Sequence, residues 1–215
     1  MNFSTASTSN GKNNVPLLGA YLVVFFVTWM YTLIFTSNVS NWIIENILTA
    51  VFIGSIVLGY RRFSFSDLSY TLAFVYITMH IIGAQHTYAE APIGYAIKDL
   101  FGLERNPYDR IVHFSFGFLL AYPLRDYFRN KFQWPNWVCW VLPAEITLSF
   151  SGMYELIEYG VADIFFPHLG TNYLGTQGDS WDAQKDMAMA FFGAILSLCI
   201  TAAMRRLTGK HERLI

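Results

Sequence analysis

Six apolar stretches, each close to the 20 or so residues that carry a helix across a hydrocarbon core of about 30 Å, dominate this chain. They run over residues 16–35, 42–60, 68–85, 110–127, 137–158 and 186–204. Lipid offers no partner to backbone N–H and C=O groups, so a spanning segment must satisfy them internally. Runs this long therefore predict an all-α, polytopic membrane helix bundle of about six spans, with both termini on one side. Composition agrees: 54% of the 215 residues are hydrophobic and 13% charged, against about 25% charged in a soluble domain.

The rest of the chain divides around these segments. Residues 1–14 are rich in Ser, Thr and Asn and read as a disordered polar tail. Residues 15–206 form a single transmembrane domain, and 207–215 a basic cytoplasmic tail. The first apolar run is too long for a signal-peptide core and is read as a retained helix. With the N-terminus inside, ten of the 14 Lys and Arg fall on the cytoplasmic side, which favours an N-in, C-in orientation. Lys98, Arg105, Arg110 and Lys185 remain outside. Eleven of the 15 acids lie at the outer ends or in the outer loops. Acids carry little topological weight, so that excess calls for another explanation.

Two outer loops, 87–109 and 159–185, are longer than structureless loops usually are. The first carries Ile93, Tyr95, Ala96, Ile97, Leu100 and Phe101, a pattern for a short surface helix. The second carries Ile164, Phe165, Phe166, Pro167 and Leu169, apolar enough to dip into the interface. Both read as lids over a polar site.

Alternating topology brings the chemistry-bearing ends of several helices to one face. Ionisable groups at membrane depth are costly and therefore functional candidates. Asp109 and His113, four apart, share a helix face and fit a metal ligand pair, or a carboxylate orienting an imidazole. Glu155 and Glu158, three apart at a helix C-terminus, repel each other and oppose the helix dipole unless they are protonated or hold a cation. Asp182 and Asp186 follow at i, i+4 behind Asp179; the bland reading makes Asp179 a helix cap and Asp182 a first-turn acid.

His80 and His86 are six residues apart, so a regular helix does not point both at one site. The ligand set expected from these phases is His80, His86, Asp109, His113, Glu155 and Asp186, with Glu158 and Asp182 as catalytic carboxylates. Asp179, Gln177 and Glu45 are supporting residues. Glu145, nearer mid-membrane, is expected to be protonated or paired with another helix. His168 and His211 lie in a loop and in the basic tail and are weak candidates.

The set fits a divalent cation, Zn²⁺ first, with iron or manganese next. The leading function is a membrane-embedded metal-dependent hydrolase acting on a lipid or lipid-linked substrate. The alternatives are a cation- or proton-coupled transporter and a non-catalytic assembly partner in the bilayer. A net charge of −1 argues against a nucleic-acid partner. The chain has no H-E-x-x-H, G-x-S-x-G, Walker loop or paired CxxC, and no G-x-x-x-G helix seam. Cys139 and Cys199 sit in apolar runs and read as small packing residues.

Taken together, H-I-I-G-A-Q-H-T-Y at 80–88, N-P-Y-D-R-I-V-H-F at 106–114, Y-E-L-I-E-Y at 154–159 and G-T-Q-G-D-S-W-D-A-Q-K-D-M at 175–187 resemble the YjdF-like family of bacterial multi-pass proteins. The resemblance covers most of the chain from the first span to the sixth. It implies a location in the inner (cytoplasmic) membrane and brings no activity with it.

Overall fold

A computed structural model describes residues 15–165 and 175–209. The polar tail, the loop residues around His168 and the end of the basic tail with His211 lie outside the described residues. Seven α-helices account for nearly all of the rest: α1 Val15–Ile34, α2 Val39–Gly59, α3 Asp67–Gln85, α4 Pro92–Phe101, α5 Tyr108–Tyr127, α6 Asn136–Tyr159 and α7 Asp182–Leu207. α5 and α6 are prolonged by wider, π-helical turns at Phe128–Phe132 and Gly160–Phe165. The described residues contain no strand.

Local chemistry sets several of the boundaries. The side chains of Asn38 and Ser66 accept from the N–H groups of Asn41 and Ser69 and cap α2 and α3. Pro92 opens α4, where a missing N–H costs nothing, and Gly102 closes it in a left-handed conformation, φ +63°. The short helix expected in the first loop is thus present as α4, with Ile93, Leu100 and Phe101 exposed.

α5 is the centre of the bundle and packs against α3, α6 and α7; α1 and α2 join through α3. The α5–α7 seam is made of small residues. A Cβ on Gly117 would overlap the carbonyl oxygen of Ala190, and one on Gly193 would overlap that of Phe114. Ala121, Ala190 and Ala194 line the same seam, fully buried. Close backbone approach through Gly and Ala is how helices associate where lipid gives no hydrophobic drive. The absence of a literal G-x-x-x-G in the sequence does not preclude such a seam, because here each helix supplies one Gly and the Ala residues complete it.

Four helices, α1, α2, α3 and α7, are long and apolar enough to cross a membrane, with mean hydropathies of 2.0, 1.8, 1.2 and 2.1. α5 and α6 have spanning length but carry too many polar groups to qualify by composition. Their polar residues mostly turn inward: Asp109, His113, Arg125, Ser151 and Glu158 are all buried. Glu145 is the exception. It is exposed on α6, and no described residue is shown in an ion pair with it.

Candidate functional site

The ends of α3 and α6 and the starts of α2, α5 and α7 meet at one end of the bundle. Five helices therefore contribute side chains there, and the loop residues Arg105 and Asn106 meet Thr176 and Gln177 beside them. The structure sorts the sequence-predicted residues into three groups.

Asp109, His113 and Asp186 form the innermost group. All three are buried, and one ligand atom from each lies within 4.8 Å of the others. Asp109 and His113 come from adjacent turns of α5, and Asp186 from the second turn of α7, which the glycine seam holds against α5. The His113 imidazole is the hub: Nε2 stands 3.6 Å from Asp109 Oδ1 and 3.4 Å from Glu155 Oε1, and Nδ1 is 3.2 Å from the Ser151 hydroxyl. Tyr154 packs edge-on against the ring at 5.7 Å. Glu158 is buried one turn beyond Glu155, within hydrogen-bonding reach of Tyr154. Tyr154 also donates to Glu45 Oε2 of α2 at 2.9 Å.

The second group is an ion-pair cluster above the first. Asp182 is held by Arg105 and Arg110, and Asp179 by Arg110 and, at 2.6 Å, by Lys185. Asp179 also accepts from the Trp181 N–H at 3.0 Å, so it supports the start of α7 while it pairs. The Lys185 ammonium, the Trp181 N–H and the Arg110 guanidinium together hold its carboxyl well below the ordinary value. Gln177 clamps the two loops: it accepts from the Asn106 N–H at 2.8 Å and donates to the Asn106 carbonyl at 3.0 Å. Asp182, expected as a free catalytic carboxylate, is thus engaged by guanidinium groups.

His80 and His86 form the third group, apart from the ligand cluster. His80 is buried, with Nδ1 2.6 Å from the Tyr88 hydroxyl and Nε2 3.4 Å from the Glu45 carbonyl. Tyr88 reaches it because Gly83 leaves room for the phenol ring and because Thr87 and Tyr88 adopt left-handed backbone, φ +53° and +52°. His86 follows the last residue of α3 and is half-exposed. Neither joins the Asp109–His113–Asp186 group.

Charge is out of balance. Six carboxyls, of Glu45, Asp109, Glu155, Glu158, Asp182 and Asp186, stand against the guanidiniums of Arg105 and Arg110, so four lack a cationic partner. A protonated His113 still leaves a surplus. Glu155 Oε1 and Asp186 Oδ1 are also buried without any hydrogen-bond donor. Buried carboxylates persist only when protonated or paired with a cation. The donor set present, one imidazole nitrogen and several carboxylate oxygens with two of them orphaned, fits a divalent cation. Its richness in oxygen suits manganese or iron as well as zinc.

Sequence reasoning gave no place in the site to Arg105, Arg110, Ser151 or Asn106, and read Tyr154 only as an aromatic at the membrane interface. The two arginines carried a signal: they belong to the minority of basic residues left on the outer side.

Comparison with known proteins gives the context. The family described as "Predicted membrane protein (DUF2238)" matches residues 17–207. The inner membrane protein YjdF of Escherichia coli (strain K12) is 34% identical over 179 residues, covering 80% of this chain and 83% of the relative. No solved structure matches. The match spans every helix described above, from α1 to α7, and the chain belongs to this DUF2238 family of multi-pass membrane proteins.

Proposed function

We propose that this protein is a metal-dependent enzyme of the inner membrane, holding a divalent cation between Asp109, His113, Asp186 and Glu155 and hydrolysing a lipid or lipid-linked substrate. One observation carries the reading. Three buried ligand atoms from two helices converge within 4.8 Å, beside a carboxylate oxygen of Glu155 that has no donor. Such a cation would supply Lewis-acid polarisation of a substrate oxygen and acidify a water towards neutral pH.

The side chains then divide the work. Asp109, His113 and Asp186 bind, and Ser151 fixes the orientation of the imidazole through Nδ1. Glu158 is the general base of this proposal, because it is buried beside Glu155 and is not held by an arginine. Asp182 and Asp179 instead hold Arg105 and Arg110 beside the ligand cluster. The ten-to-four distribution of basic residues supports an N-in, C-in chain with this end at the periplasmic face.

The test is metal content by elemental analysis of the purified protein beside His113→Ala and Glu155→Ala. About one equivalent of manganese, iron or zinc, lost in both variants, is expected. No bound metal in the unmodified protein after supplementation, with all three equally well folded, overturns the reading. The surplus acids would then belong to a proton- or cation-coupled transporter.

A further inference from the structure

A cavity of about 460 Å³ lies between α2, α3, α5 and α6, directly beneath the acidic site. Its walls are hydrocarbon: Phe52, Ile56, Ala73, Phe116, Leu120 and Phe150. At one end stand His113, Ser151 and Tyr154; at the other, Phe65, Tyr70 and Tyr127 close the floor. Between Ser69 and His80 of α3 it extends for about 16 Å, at 1.5 Å per residue. One leaflet of a bilayer, half of a hydrocarbon core of about 30 Å, is nearly the same depth.

The polar groups of this groove are distributed unevenly. Those of the floor are satisfied: the Ser69 hydroxyl meets Ser66 and Asp126, and the Tyr70 hydroxyl accepts from the Phe65 N–H. Near the site end, Thr49 is 3% exposed and its hydroxyl has no partner at all. It lies one turn along α2 from Glu45, on the wall of the groove. A buried hydroxyl left unpaired is costly, so its presence here points to an acceptor that a ligand brings.

The groove also has a side entrance. α2 packs on α3, while α6 packs on α5 and α7. Tyr154 and Glu45 bridge α2 and α6 at the site end. Below that bridge, Val51 and Phe150 line the groove and are 61% and 58% exposed, and Met153, level with it, is 55% exposed. In a membrane protein that flank faces lipid.

We infer that this groove holds one acyl chain of a bilayer phospholipid, admitted sideways between α2 and α6, with its ester oxygens at Thr49 and its head beside Asp109, His113 and Asp186. The occupant follows from three features. Groove length matches the chain of one leaflet and is too short for a long polyprenyl chain. The unpartnered Thr49 hydroxyl can donate to an ester carbonyl, the group that joins each acyl chain of a phospholipid to its head. The bilayer itself supplies the lipid at the entrance. This rests on the proposed function only in naming the end at which the lipid would be acted on; occupancy of the groove does not require the cation.

The experiment uses the full chain reconstituted in phosphatidylethanolamine–phosphatidylglycerol vesicles with a trace of phosphatidylglycerol carrying a mid-chain diazirine. After photolysis, labelled positions are mapped by peptide mass spectrometry. Label is expected on the inward-facing Phe116 and Leu120, and on the outward-facing Leu22 and Val23 of α1. In Ala73→Phe and Leu120→Trp, which fill the groove from different helices, groove labelling falls at least fivefold while α1 labelling is unchanged.

Label confined to outward faces of the unmodified protein overturns the inference, whether or not the variants fold. So does label in the groove that excess polyprenyl phosphate displaces and excess phosphatidylglycerol does not. Asp186→Asn separates the two proposals. Groove labelling that persists in this variant, with no metal found in any form of the protein, leaves the chain site standing and removes the metal. Bound metal with an unlabelled groove does the reverse.

Discussion

Tyr154 of α6 and Glu45 of α2 are 109 residues apart in the chain, yet the phenol donates to a buried carboxylate at 2.9 Å and ties two otherwise separate helices together over the site. Tyr154→Phe leaves that carboxylate without its donor. The cost of an orphaned buried acceptor is about 1–3 kcal/mol. We expect a thermal midpoint several degrees lower in detergent, with metal content retained; an unchanged midpoint would show that the bridge contributes nothing.

Surplus acid makes a second prediction, with opposite signs for stability and binding. Glu155→Gln removes one of the four uncompensated carboxyls. In metal-free protein it raises stability by about 1 kcal/mol, a shift of about 2–4 °C at this size. Metal content falls by at least half in the same variant. Calorimetry with and without chelator, paired with elemental analysis, reads both.

The α5–α7 seam predicts sharp positional contrast among glycines. Gly193→Val drives its side chain into the Phe114 carbonyl and destabilises the fold by about 3 kcal/mol or more. Gly54→Val, with nothing within 4 Å of the new Cβ, is tolerated. Yield of folded protein and thermal midpoint would distinguish them.

Acid should loosen the loop cluster in a defined window. The Asp179 carboxyl is depressed by Lys185, the Trp181 N–H and Arg110, so it binds its proton less readily folded than unfolded. Its stabilising contribution is complete above the ordinary carboxylate value of about 4 and is lost as pH falls below that value. The difference in midpoint between the unmodified protein and Asp179→Asn is expected to be constant from pH 7 to pH 5 and to shrink below pH 4. A constant difference down to pH 3 would contradict the assignment.

Helix positions were legible in the sequence because apolar runs, Pro and capping residues act locally. All six runs lie within or one residue beyond the helices that form. Helix phase also brought Asp109 to His113, since i, i+4 spacing needs no tertiary information. It did not reveal what engages each acid. Arg105 reaches Asp182 only through a loop that Gln177 pins to Asn106, 71 residues away. From sequence His80 reads as a metal ligand, and its contact with Tyr88 was not legible, because that contact depends on two left-handed residues after α3. The seam was hidden for the same reason: Gly117 and Gly193 acquire meaning only when α5 and α7 are set side by side.

That seam has a consequence for ion choice. Gly117 lies one turn from His113, and Ala190 one turn from Asp186, so backbone in direct contact fixes the separation of the two helices that carry Asp109, His113 and Asp186. Walls set by backbone contact would resist spreading for a larger cation or closing round a smaller one, were the proposed ion bound. Discrimination between metals would then be set by radius and bond direction, before any side chain moves.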